Sequence, residues 1–229
     1  MINGKEETFW LSEEQIATLL SYFGIYQAEI VFAGTASEAK STAAGLGFPV
    51  AVKLASSTIT HKTDVGGVIL DVNSESEVEK AYNTIKKNLE KLGRDQEMLG
   101  VSVQKMITEG VETIVGVTQD PAFGPLIMLG SGGIYAELLK DVTLKLHPIT
   151  DLDADEMIHS LKLTKLLNGY RGSPPCDVKE LQDLLLRVSA MVETVPEIGE
   201  LDLNPVNVMP DGQGYRIIDA RIMLHTTIV

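Results

Sequence analysis

The stretch from Pro49 to Val72 constrains the fold of this chain more than any other. Pro49–Leu54 is apolar and β-branched, as a half-buried strand should be, and Val68–Val72 reads as its returning partner. Between them lie Ser56-Ser57-Thr58 and His61-Lys62-Thr63-Asp64-Val65-Gly66-Gly67, with Lys53 inside the strand itself. Such a loop suits a phosphate chain: backbone N–H groups with free glycine φ angles can converge on an anion, and lysines add point charges. These residues alone leave open an ordinary hairpin loop with solvated lysines. A loop histidine such as His61 is by itself more often a surface or hydrogen-bonding residue than a reactive one.

Charge narrows the classes of partner. The 229 residues carry a formal net charge of −13, so an anionic ligand is held only where positive charge is gathered locally. A pI near 4.7 argues against nonspecific nucleic-acid binding, which needs a basic footprint. No Lys/Arg-rich run suggests a membrane surface. The longest uncharged stretch, Pro121 to Ala136, is too short and too broken by glycine and proline to span a bilayer. Cys176 is the single cysteine, which excludes an intrachain disulfide and fits a reducing compartment. Nothing near it in Pro174-Pro175-Cys176 would depress its pKa, so a catalytic thiol is not expected. The N-terminus shows no basic run followed by an apolar one, and the expected location is the cytoplasm.

Along the chain, helical and strand periodicities alternate without internal repeats. Ser12 with Gln15 forms a capping box before Ile16, Leu19, Leu20 and Phe23, and Gly24 ends that helix. Tyr26–Phe32 reads as a strand, Thr35 with Glu38 opens an Ala-rich helix, and Ser74 with Glu77 opens another, striped by Val78, Ala81, Ile85 and Leu89. Strands are expected at Val101–Met106, Val111–Thr118, Leu126–Leu129 and Tyr135–Leu146, and helices at Asp153–Leu167 and Asp177–Val195. The fold class is mixed α and β, with a subdomain boundary near residue 110.

Two further segments bear on chemistry. There is no Gly-x-x-x-x-Gly-Lys-Ser/Thr, which excludes a P-loop, and Gly130-Ser131-Gly132-Gly133 lacks the third glycine of a dinucleotide fingerprint because position 135 is Tyr135. That loop is either a plain turn or a second backbone surface near phosphates. Near the C-terminus, Glu200–Val208 alternates polar with apolar, Pro210-Asp211-Gly212 is a turn signal, and Tyr215–Ile222 returns. A turn centred on Asp211-Gly212 sets Asn204 opposite Asp219 and Asp202 opposite Arg221, all on one face. An amide beside a carboxylate offers oxygen ligands of the kind Mg²⁺ takes, one or two from protein and the rest from phosphates and water. A cross-strand polar pair without a metal is the alternative, and Pro205 demands an edge or a bulge.

In this order, the lysine strand, the Gly-Gly loop, the Val101–Met106 strand and the Asn/Asp hairpin resemble an ATP-grasp domain. The closer resemblance is to the β chain of ADP-forming acyl-CoA synthetases, related to the succinyl-CoA synthetase β chain. It rests on His61-Lys62-Thr63-Asp64-Val65-Gly66-Gly67-Val68, on Phe123-Gly124-Pro125 with Leu129-Gly130-Ser131-Gly132-Gly133, and on Asp202-Leu203-Asn204-Pro205, and it covers essentially the whole chain. The resemblance implies an ATP-grasp fold of two α+β subdomains with the nucleotide between them. One would span roughly residues 22–110, the other roughly 111–229 with the N-terminal helix.

It also implies roles. Lys53 and Lys62 would contact nucleotide phosphates, Gly66 and Gly67 would form a mobile phosphate lid, and Gln104, Lys105 and Met106 would lie at the adenine hinge. Glu112 would stand near the ribose, Asn204 and Asp219 would hold Mg²⁺, and His61 would carry a phosphoryl group to ADP, its ring oriented by Asp64. The family's reaction is acyl-CoA + ADP + phosphate ⇌ carboxylate + ATP + CoA. The CoA-binding domain and a first phosphohistidine would come from an α subunit, in an α2β2 assembly. Two alternatives remain at this point: another ATP-grasp carboxylate ligase, without a histidine intermediate, or a non-catalytic nucleotide-binding module of an acetyltransferase-type assembly. His61 argues against both.

Overall fold

The computed structural model describes residues 5–59, 61–133 and 141–228. The chain forms two compact units, one of residues 28–108 and one of residues 1–27 with 109–229. The first helix belongs with the C-terminal unit.

The smaller unit is a four-stranded antiparallel sheet in the order β2-β5-β3-β4, with β2 at Ile30–Ala33, β3 at Val50–Ala55, β4 at Val68–Val72 and β5 at Gly100–Lys105. Helices α2 (Ala36–Leu46) and α3 (Glu75–Lys91) join its strands. Ala39 and Ala43 of α2 and Val78, Ala81, Ile85 and Leu89 of α3 form one core with Val50, Val52, Leu54, Val101 and Val103. Alternation along β3 and β5 therefore sends Lys53, Ser102 and Gln104 to the other face. The expected strand at Tyr26–Phe32 begins only at Ile30, because Gln27 is engaged elsewhere, in a bridge to Ile217 of the larger unit. Both expected helix starts are present, with a variation: Thr35 and Ser74 accept from the Glu38 and Glu77 amides, while those glutamates reach one residue further back, to the Gly34 and Asn73 N–H groups.

The larger unit is built on a seven-stranded sheet in the order β1-β11-β9-β6-β7-β8, with β10 paired to β9. Its strands are β1 (Lys5–Trp10), β6 (Val111–Asp120), β7 (Gly124–Ser131), β8 (Val142–Leu146), β9 (Ile198–Val208), β10 (Tyr215–Ile217) and β11 (Ala220–Ile228). Among the described residues, the helices that accompany it are α1 (Glu13–Tyr22), α4 (Asp151–Ser160), α5 (Thr164–Leu167) and α6 (Val178–Thr194). Leu181, Leu184, Leu185, Val188 and Met191 of α6 pack with Val115, Val117, Ile127, Leu129, Leu201 and Leu203, so one sheet face is core and the other is open. Of the strand expected at Tyr135–Leu146, only β8 falls among the described residues.

One expected element is broken. Asp153–Leu167 is not a single helix but α4 and α5, interrupted at Leu161–Leu163. No proline or glycine marks the break in sequence. It exists because the Lys162 and Leu163 amides leave the helical pattern to bond the buried carboxylate of Asp141, at 2.9 and 3.0 Å.

Helix α6 is fixed at its start by Asp177, which is buried and accepts from Glu180 N at 3.4 Å and from Gly214 N at 2.9 Å. One carboxylate thus caps the helix and ties it to the β9–β10 turn. Asp177→Ala leaves both donors unpaired, and we expect a loss of about 1–2 kcal/mol in urea denaturation, in line with N-cap removal.

Candidate functional site

The hairpin register expected from sequence is present. Asp202 faces Arg221, Leu203 faces Ala220, and Val206 faces Ile217, so every facing pair keeps one sum through the site. The Asn204 amide donates to the Asp219 carbonyl at 3.0 Å, which sets the two residues side by side. Asn204 is exposed and Asp219 half-buried.

Asp202 and Glu200 share that open face with them, since Leu201 and Leu203 point into the core. Burial pushes the Asp202 carboxyl above its ordinary range; Arg221 and a hydrogen bond from the Asn204 side chain pull against this, and Asp219 and Glu200 reinforce it by repulsion. Arg221 lies 3.8 Å from Asp219, the nearest offsetting charge among the described residues. A face of crowded carboxylate and amide oxygens, without nitrogen or sulfur donors, fits a hard cation such as Mg²⁺ better than a soft metal. Asn204 and Asp219 are the residues of that face that the sequence resemblance marks for a metal.

Glu112 lies one strand away, on β6, facing Asn207. Its carbonyl accepts from Gly132 N at 2.9 Å. A Cβ on Gly132 would stand 2.8 Å from the Glu112 backbone, and one on Gly133, whose φ is +61°, would stand 2.5 Å from its carboxylate. These glycines are required because the loop lies directly on Glu112.

In the smaller unit, Lys53 donates to Oε1 of the buried Gln104 at 2.8 Å, on the sheet face opposite the α2–α3 core. Lys105 donates to the Phe48 carbonyl at 2.5 Å, and Met106 N to the Pro49 carbonyl at 3.0 Å, so the 104–106 segment is pinned to the start of β3. His61 is exposed on the loop between β3 and β4, and Lys62 is half-buried. No hydrogen bond joins Asp64 to His61 among the described residues, so an orienting contact is not formed in this conformation.

Gly66 and Gly67 do something different from what their composition suggests. Their N–H groups are spent on the carbonyls of Thr63 and Lys62, at 3.0 and 2.7 Å, and the Gly67 carbonyl accepts from Leu54 N. A Cβ on Gly67 would meet Lys62 O at 2.8 Å and Leu54 Cβ at 2.9 Å, and one on Gly66, with φ +63°, would meet the Asn88 side chain at 2.6 Å. In this conformation the pair closes the loop against its own strand.

A tether that sequence reasoning missed holds the front of the same loop. Glu97 takes a hydrogen bond from the Thr58 hydroxyl and a forked pair from Arg94, the latter at 2.6 and 2.8 Å. No periodicity signals it, because it joins a loop to a 3₁₀ turn 39 residues on. Arg94 first, then Thr58, holds the Glu97 carboxyl down at about 2. A lowered acid stabilises above its unfolded pKa and loses that contribution as pH falls toward its folded value. The tether's stabilising contribution is therefore full above about pH 4.3 and falls away from there to about pH 2. We expect Glu97→Gln to raise hydrogen exchange at Thr58 and Ile59 severalfold at neutral pH, and the variant and wild type to converge as pH approaches 2. Elsewhere, burial pushes the Cys176 thiol up, as befits an unreactive cysteine.

Residues 4–224 match the ATP-grasp domain family, and the chain belongs to it. Within that family it groups with the β subunits of ADP-forming acetate–CoA ligases. It is 42% identical over 213 residues to acetate–CoA ligase (ADP-forming) II subunit beta of Pyrococcus furiosus, covering 93% of this chain and 90% of that one. It is 45% identical over 220 residues to the ADP-forming 4-hydroxybutyrate–CoA ligase of Nitrosopumilus maritimus, covering 96% of this chain but only 32% of that relative's length. Among solved structures, an acetyl-coenzyme A synthetase of Ca. Korarchaeum cryptofilum in complex with coenzyme A and Ca-AMPCP superposes with a TM-score of 0.85 at 40% identity, covering 94% of this chain and 93% of that one. Another structure from that organism, with Mg-AMPPCP and a phosphohistidine segment pointing towards the nucleotide binding site, gives a TM-score of 0.78 at 38% identity, with 94% and 92% coverage.

Proposed function

We propose that this chain is the nucleotide-binding β subunit of an ADP-forming acyl-CoA synthetase, moving a phosphoryl group between His61 and ADP or ATP with Mg²⁺. The end-to-end match to the P. furiosus β subunit, at 42% identity, carries this reading. The acidic oxygen face at Asn204 and Asp219 supports it from geometry. No helix among the described residues is long and apolar enough to cross a membrane, and the lone buried cysteine suits the cytoplasm, where we place the reaction.

Phosphoryl transfer asks little covalent chemistry of the protein and much charge management. In the direction of ATP synthesis, the oxygen of ADP's terminal phosphate attacks the phosphorus carried on His61. The P–N bond breaks, and the electron pair returns to the imidazole. In reverse, the neutral imidazole nitrogen attacks the γ-phosphorus and ADP leaves with the P–O pair. An imidazole suits both directions because its neutral form carries a ring nitrogen with a free lone pair. Lys53 and Lys62 neutralise phosphate oxygens, Gln104, Lys105 and Met106 border the base, and Glu112 takes ribose hydroxyls. Asn204 and Asp219 would hold Mg²⁺, which supplies charge neutralisation at the phosphates. Gly66 and Gly67 let the loop that bears His61 fold tightly, and open it as a lid. Acyl-CoA, carboxylate and CoA would be handled by an α subunit, in an α2β2 assembly, without which this chain would not complete the reaction.

The test is incubation with γ-labelled ATP and Mg²⁺. We expect acid-labile, base-stable label on the wild-type chain and none on His61→Ala; label that persists in that variant, or never forms, overturns the carrier role. Asn204→Ala and Asp219→Ala should each weaken Mg²⁺-dependent ADP binding by about tenfold, the 1.4 kcal/mol equivalent of one lost ligand contact, measured by calorimetry. Unchanged affinity in both would leave the hairpin with a structural role alone.

A further inference from the structure

Asp141 is a buried carboxylate that the proposed chemistry does not use. Only 7% of the residue is exposed, and four hydrogen bonds converge on it. The Ser131 hydroxyl donates to Oδ2 at 2.7 Å, Leu163 N donates to Oδ2 at 3.0 Å, and Lys162 N donates to Oδ1 at 2.9 Å. Its own carbonyl accepts from Ser131 N at 2.9 Å. Burial opposes ionisation, but the Lys162 amide, the Ser131 hydroxyl and the Leu163 amide outweigh it and hold the carboxyl below its ordinary range.

The position of these bonds matters more than their number. Ser131 ends β7 and Asp141 precedes β8, so backbone and side chain together close the base of the glycine loop that starts at Gly132. The other side of the carboxylate is fastened to the break between α4 and α5. A continuous helix is given up at that break, so the arrangement has a cost that ordinary packing would not demand. From Ser131 the path is two residues long. Gly132 donates to the Glu112 carbonyl, and Gly133 lies against the Glu112 carboxylate. The contacts therefore run without a gap from the α4–α5 break through Asp141 and Ser131 to Glu112.

The three donors to the carboxylate, one hydroxyl and two backbone amides, are spread over both of its oxygens. An asparagine offers one oxygen and turns an NH₂ toward a donor, so the isosteric amide cannot satisfy the site. This makes the carboxylate itself, rather than its shape, the requirement.

We infer that Asp141 is a positioning residue for the nucleotide: through Ser131 and the Gly132–Gly133 backbone it sets where Glu112 stands. This rests on the proposed reading that Glu112 meets the bound nucleotide. Asp141 touches no reacting atom; it fixes the residue that does the holding. Small displacements of such a residue are felt strongly, because a binding contact is made at hydrogen-bond distance or not at all.

The experiment is a double-mutant cycle on the full chain, with MgADP affinity measured by calorimetry and melting temperature measured alongside. Asp141→Asn and Glu112→Ala should each weaken MgADP by about tenfold, and the double variant should be no weaker than either single one. Ser131→Ala, which removes one link and keeps the backbone bond, should show a smaller loss, and it serves as the probe if Asp141→Asn does not fold. A purely structural role would lower the melting temperature of the Asp141 and Ser131 variants while leaving MgADP affinity intact, and that result overturns the inference. Additive losses in the double variant overturn it too, since they mean that Asp141 does not act through Glu112. Loss in Glu112→Ala alone removes the inference and keeps the reading of Glu112. Loss in neither variant removes both.

Discussion

Strand β9 is the element on which the larger unit depends. It pairs with β6 on one side and with β11 and then β10 on the other, so its register fixes three neighbouring strands at once. Sliding it by a single residue would turn Leu201 and Leu203 out of the core and Asp202 and Asn204 into it. Core burial on one face and the acidic cluster on the other are thus one constraint seen from two sides. The cluster tolerates its own repulsion because the apolar face of the same strand holds it in place. Burial first, and the repulsion of Asp219 and Glu200 after it, hold the Asp202 carboxyl above its ordinary range.

The same logic explains the glycines. In the larger unit Gly132 and Gly133 are where one backbone crosses Glu112, and in the smaller unit Gly66 and Gly67 are where a loop folds back on Leu54 and Asn88. Both loops were open to reading as anion cradles, since clustered glycine suits a nest of amides. In both, the glycines are explained first by what a Cβ would strike. Convergent amides and close backbone approach use the same residue, and the sequence pattern cannot separate them.

What could be read from sequence follows from period and from local chemistry. The stripes of α3 and α6 were legible because a helix face repeats every three to four residues, and the facing of Asp202 with Arg221 was legible because a short turn fixes antiparallel pairing. The Asp141 anchor was not legible, since its donors come from residues 131, 162 and 163, and its effect on the helix at Asp153–Leu167 has no breaker residue to announce it. The Thr58–Glu97–Arg94 tether was hidden for the same reason. The roles proposed for His61, Lys53 and Asn204 rest on the resemblance of whole motifs, and no property of those residues taken singly would suggest them.

The closed state of the Gly66–Gly67 loop bears on how a phosphate would be received there. Both amides are already bonded, so a lid that offers them to a ligand must first give up the Thr63 and Lys62 bonds. Each such bond is worth about 1 kcal/mol net, which sets the opening cost at about 2 kcal/mol. Binding in the micromolar range releases about 8 kcal/mol, so a nucleotide can drive that exchange and still bind. The charge-assisted bonds to phosphate are also stronger than the carbonyl bonds they would replace. Without nucleotide, the balance favours the closed loop, with the Glu97 tether at one end and the Gly67–Leu54 contact at the other. A lid whose glycine amides are held by neutral carbonyl bonds would yield those bonds to charged phosphate oxygens, while the Glu97 tether keeps the front of the loop in place.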